Sequence, residues 1–126
     1  MDRTPILQIG EFLLVSLQDP SDDMASALLK ELAERLAHSG DAGARGVLLD
    51  LSTMKTVDAF LGRFLGKLIS LARIMKTEAV IVGMQPAVAL TLVEMDITLP
   101  GALTAVNMDR AREVLQVRMK EDVKKD

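Results

Sequence analysis

GVLLDLSTMKTVDAFLGRFLGKLISLARIM, residues 46–75, is the stretch whose reading decides the fold. It opens with Val47-Leu48-Leu49, a short continuous apolar run that suits a central strand buried on both faces. From about residue 59 to 75 the apolar residues change to helical spacing. Phe60, Phe64, Leu68, Leu71 and Met75 make one stripe, and Leu61, Leu65 and Ala72 widen it. A wide apolar stripe with a few charges describes a helix packed on a sheet. Between strand and helix lies a turn at the C-terminal end of a buried strand, where α/β domains present their sites. Asp58 suits the N-cap of the helix, a role worth about 1 kcal/mol. Ala59, the next residue, carries no group able to do chemistry.

The rest of the chain extends this unit in both directions. Residues 5–9 and 11–17 read as short strands with a tight break at Gly10-Glu11. Asp19-Pro20-Ser21-Asp22-Asp23 reads as a turn and helix start, with Ser21 as N-cap and two carboxylates at the positive end of the dipole. Ala25, Leu28 or Leu29, Leu32 and Leu36 follow at helical spacing, and Gly40 is a natural stop. Residues 78–83 form another buried strand. Gln85-Pro86 opens a helix whose inner face is Val88, Leu92 and Met95, with Pro86 at its first position. A short strand near Leu103–Val106 precedes a helix capped by Asn107 and packed through Ala111, Val114 and Leu115. The resulting order, β-β-α-β-α-β-α-β-α, predicts an α/β fold with a mixed, mostly parallel sheet and right-handed crossovers. The opening β-β pair predicts an antiparallel edge.

The chain of 126 residues fits one domain with one ordinary core. A net charge of −3 argues against nucleic acid as the main partner. The 2% aromatics argue against base-stacking platforms as well. There is no cysteine, hence no disulfide, thiolate metal site or cysteine nucleophile. Arg63, Lys67 and Arg73 interrupt the longest apolar stretches, so none reads as membrane-spanning. The single histidine, His38, reads as a solvated residue near a helix C-terminus. Neither a catalytic triad nor a cluster of metal-ligating carboxylates is assembled, and a non-enzyme is the best reading from chemistry alone.

Two local patterns invite enzymatic readings. GRFLGK (62–67) is one residue short of a phosphate-binding loop and lies inside a helix. Gly62, Gly66 and Ser70 instead place small residues every fourth position along one helix face, for close approach within the domain or by a partner. VLLDL, with Asp50 near a strand end, is the alternative: a receiver-like domain with a phosphoryl-accepting aspartate. That chemistry needs Mg²⁺ held by further carboxylates, and the early strands supply only Glu11.

The element order, the segment GVLLDLSTMKTVDAF and the later VGMQPAVALTLVEM (82–95) resemble a STAS domain (sulphate transporter and anti-sigma-factor antagonist). More narrowly, they are similar to the small single-domain RsbS-type stressosome proteins. PILQIGEFLLVSLQ (5–18) and Gln85-Pro86-Ala87-Val88-Ala89 resemble the same subgroup. The similarity spans about residues 4–118, and its more specific local signal is Gly83-Met84-Gln85-Pro86. The resemblance implies one STAS domain over residues 1–126, with 119–126 a frayed tail. It implies a cytoplasmic, non-catalytic scaffold without cofactor or metal. Such a scaffold self-associates, as a dimer, and joins RsbR-type STAS proteins in a large hetero-assembly, with no nucleic acid or membrane. The assembly sequesters an RsbT-type serine/threonine kinase, which phosphorylates the scaffold under stress and leaves. Thr56, Val57, Asp58, Ala59 and Phe60 correspond to the docking surface. Phe60 also fits the apolar stripe, which favours core packing for it.

In that family the phosphoacceptor is a serine directly after the aspartate matching Asp58. Here the position is Ala59, which has no hydroxyl. Either the protein does not switch at this position, or the alanine is a substitution that locks the unphosphorylated state. Ser52, Thr53 and Thr56 are nearby hydroxyls that no motif promotes to acceptors. A plain STAS dimerisation module without a kinase partner is the remaining alternative.

Overall fold

The computed structural model describes residues 6–18, 22–38 and 44–125. The order is β1 (Ile6–Ile9), β2 (Phe12–Ser16), α1 (Asp22–Ala37), β3 (Gly46–Asp50), α2 (Ala59–Ile74), β4 (Glu78–Val82), α3 (Pro86–Glu94), β5 (Leu103–Ala105) and α4 (Met108–Lys125). The strands form one sheet in chain order, β1-β2-β3-β4-β5. Only β1 and β2 are antiparallel; the other neighbours are parallel. The predicted architecture is therefore the one observed. The expected cap Ser21 and stop Gly40, with the Asp19-Pro20 turn, lie outside the described residues.

Side chains alternate across a strand, so each central strand contributes to two cores. Leu13, Val15, Val47, Leu49, Ala79 and Ile81 point to one face, where buried residues of α1, α2 and α3 meet them. Phe12, Leu48, Val80 and Val82 point to the other, beneath Ala111 and Leu115 of α4. A single row of cross-strand partners, Leu14, Leu48, Val80 and Leu103, carries this second face over four strands. The close approach of α4 explains Gly46: a Cβ there would sit 2.7 Å from Leu115 Cδ1. All three crossover helices thus cover one face, and α4 alone covers the other.

Two expectations change. The buried face of α2 is Leu61, Phe64, Leu65, Leu68, Ile69 and Ala72. Phe60 is not core: it is 40% exposed and its ring stacks on Phe64, with centroids 6.5 Å apart and planes 8° apart. It belongs to the first helical turn, which the core leaves partly uncovered. Second, Gly62 and Gly66 differ. A Cβ on Gly62 would meet Ile97 Cδ1 at 2.7 Å, which is packing within the domain, whereas one on Gly66 meets nothing within 4 Å. The last helix, α4, runs to Lys125.

Candidate functional site

The segment from Leu51 to Asp58 joins the end of β3 to α2 without regular structure, yet it is held at several points. Met54 and Val57 turn inward and join the larger core, Val57 with only 9% of its surface exposed. Val57 therefore anchors the loop from the inside. Leu51 N donates to Val82 O (2.9 Å), and Met54 N donates to Leu51 O (3.0 Å). Ser52 N donates to Asp50 Oδ1 (2.9 Å), and Gln85 Nε2 donates to Ser52 O (2.9 Å).

At its end the loop passes into α2 through Asp58, which has extended backbone angles and accepts Leu61 N on Oδ1 at 2.8 Å. Its own carbonyl accepts Gly62 N at 3.0 Å. This is the N-cap geometry expected of an aspartate before a helix, satisfying one of the orphan donors of the first turn. Ala59 is the first helical residue and is half-buried. Thr56, Asp58 and Phe60 are exposed around it, so four of the five singled-out residues are at least partly accessible. Arg63, Lys67, Ser70 and Ile74 continue the solvent face of α2 beyond Phe60. An open groove of about 710 Å³ runs beside them, with Leu29, Gly66 and Ile97 among its lining.

No reacting constellation accompanies this surface. His38 is exposed and donates from Nδ1 to Glu34 O at 2.7 Å, a helix-end contact without a carboxylate partner. Among the described residues, no three His, Cys, Asp or Glu converge as a metal site. The Asp50 carboxylate is engaged by Ser52 N, so the receiver-like reading gains no support. Among the described residues, no helix is long and apolar enough to cross a membrane.

The fold has counterparts among solved structures. A serine-to-glutamate variant of RsbS from Moorella thermoacetica is 31% identical over 94% of this chain and 99% of its own, with a TM-score of 0.78. The chain belongs to the RsbS-type STAS-domain proteins. A second match comes from a structure of the stressosome, described as a signal integration and transduction hub: 31% identity, 91% of this chain, 98% of that one, TM-score 0.70. The Thermotoga maritima protein TM1081, at 12% identity over 92% and 90% of the two chains, shares the fold with a TM-score of 0.75. No family model matches the sequence, and no curated protein does so.

Within this RsbS-type domain, one contact had no announcement in local sequence pattern. Gln85 opens α3 but reaches 33 residues back to Ser52. The available signal was its identity: Gln is not among the residues favoured at an N-cap.

Proposed function

We propose that this chain is a non-catalytic scaffold of a cytoplasmic stress-signalling assembly. It co-assembles with RsbR-type STAS proteins and holds an RsbT-type serine/threonine kinase against the surface around Thr56, Asp58, Ala59 and Phe60. The observation that carries this reading is the junction itself. An exposed aromatic ring and an exposed cap flank Ala59 on a rigidly anchored loop, with no reacting group of its own. The turn is built to be recognised by another protein.

The physics of a switch follows from the cap. A phosphate on a hydroxyl at position 59 would add about −1.5 to −2 charges at pH 7. Free backbone N–H groups and the dipole at the start of α2 favour an anion there, while Asp58 beside it makes the patch more negative. The fold therefore tolerates the group, and the docking surface changes in charge and shape. The serine-to-glutamate change in the Moorella relative likewise puts negative charge where a hydroxyl stood. With Ala59 the chain holds its partner without the means of release at this site. Assembly is supported by apolar side chains left on the surface. Leu90 and Val93 on α3 are 60% and 71% exposed, although a helix apolar on all sides is ordinarily a covered one.

The test is capture of an RsbT-type kinase by this chain and by its Ala59→Ser variant, each with and without ATP. Expected is retention by both, with ATP-dependent release from the variant alone. Equal affinity of the kinase for Ala59→Ser before and after phosphorylation would overturn the switch. Absence of capture by either would leave a plain dimerisation module.

A further inference from the structure

The run Gly83-Met84-Gln85-Pro86 between β4 and α3 contains a residue that breaks a local rule. Gln85 occupies the N-cap of α3, with φ −76° and ψ 148°, yet its side chain makes no cap hydrogen bond. Short side chains are preferred there because their oxygen reaches the N–H of the second or third helical residue. The longer Gln85 instead donates Nε2 to the Ser52 carbonyl at 2.9 Å. Gly83 converges on the same residue. It has φ +70°, and a Cβ on it would lie 3.0 Å from Ser52 Cβ and 3.3 Å from Ser52 Cα. Asp50 holds the third side of Ser52 by accepting its N–H. Ser52 is therefore fixed at its nitrogen, at its oxygen and at its Cα face. The first grip comes from β3 and the other two from the segment leading into α3.

We infer that Gln85 is a positioning residue for the docking loop. By holding the Ser52 carbonyl it sets the path of residues 52–57, and thus where Thr56, Asp58 and Phe60 present themselves. It acts through Ser52 and touches no partner. Its functional half rests on the docking role proposed above; the geometric half does not. Loss of one such bond speeds local opening by roughly 2- to 10-fold.

Gln85→Glu and Gln85→Asn separate positioning from mere stability. Glutamate keeps the shape, loses the donor and places a charge that favours the start of α3. Asparagine is one methylene too short for Ser52 and is a preferred N-cap. Amide hydrogen exchange and thermal melting of the full chain give the answer. Expected is an unchanged or raised Tm in both variants, with exchange over residues 52–57 accelerated roughly 2- to 10-fold and β3 and β4 unaffected. Unchanged exchange in both variants overturns the inference. So does acceleration that only follows a lowered Tm and spreads across the sheet. In an Ala59→Ser background the kinase should show a raised KM for Gln85→Glu at unchanged kcat. If the Ala59→Ser chain is no substrate at all, the docking role fails, while the exchange result still decides the position of Gln85.

Discussion

Replacing Gly62 and Gly66 by alanine, one at a time, isolates a packing energy inside α2. Gly62 is the fourth residue of α2 and Gly66 the eighth, so the helix-propensity gain is of the same order, about 0.5–1 kcal/mol. At Gly66 the new methyl meets nothing within 4 Å, and the gain is kept whole. At Gly62 the methyl lands 2.7 Å from Ile97 Cδ1 and 3.0 Å from Leu92 Cδ2. Carbon atoms settle at about 3.5–4.0 Å, so both neighbours must retreat. Ile97 is half-buried and can turn its terminal methyl aside; Leu92 is buried and has less freedom. Overpacking of this kind costs about 1–3 kcal/mol. Propensity cancels between the two variants, so Gly66→Ala should exceed Gly62→Ala in stability by that packing cost alone. For a domain of this size, each kcal/mol moves Tm by roughly 3–5 °C. Urea unfolding with matched m-values, supported by calorimetry, measures the difference. Coincident midpoints for the two variants, or a Gly66→Ala protein less stable than its parent, would refute the assignment of Gly62 to internal contact and of Gly66 to open surface.

Asp58→Ala should cost about 1 kcal/mol through loss of the bond to Leu61 N, while Asp58→Asn should keep most of it; urea midpoints decide. Leu49→Ala, at a fully buried position in the central strand, should cost about 2–5 kcal/mol by the same measurement. Leu90→Lys with Val93→Lys should leave monomer stability within about 0.5 kcal/mol, since both side chains are exposed. It should nevertheless abolish co-elution with an RsbR-type partner on size exclusion; normal co-elution would remove α3 from the assembly surface.

The strands were legible because uninterrupted apolar runs such as Val47–Leu49 have few other uses, and the helix starts because Asp58 and Asn107 carry recognisable caps. Phe60 was less legible for a physical reason. Periodicity assigns a residue to a helix face, but not how far along the axis the core extends, and the first turn of α2 is left partly uncovered. Gly62 and Gly66 are alike in sequence; only the path of Leu92 and Ile97 distinguishes them. The contact of Gln85 with Ser52 depends on how two loops at the same end of the sheet meet, which no local pattern encodes. Val57 was counted with the docking residues, yet the loop must bury something to hold its shape, and Val57 and Met54 are what it buries.

Strand order identical to chain order has a consequence for how the molecule comes together. Each new strand pairs with the one just before it, so no pairing requires a loop longer than a single crossover unit. Loop-closure entropy and contact order are accordingly low for a parallel sheet. The sheet can grow from the β1–β2 hairpin outward, one edge at a time, with each crossover helix closing over the same face. The opposite face cannot share in this progression. Phe12, Leu48 and Val80 are covered only by α4, through Ala111 and Leu115, so they would stay open to water in any form in which α4 has not docked. Folding of this domain should therefore end on that step, and slowing it should lengthen the life of a half-covered sheet.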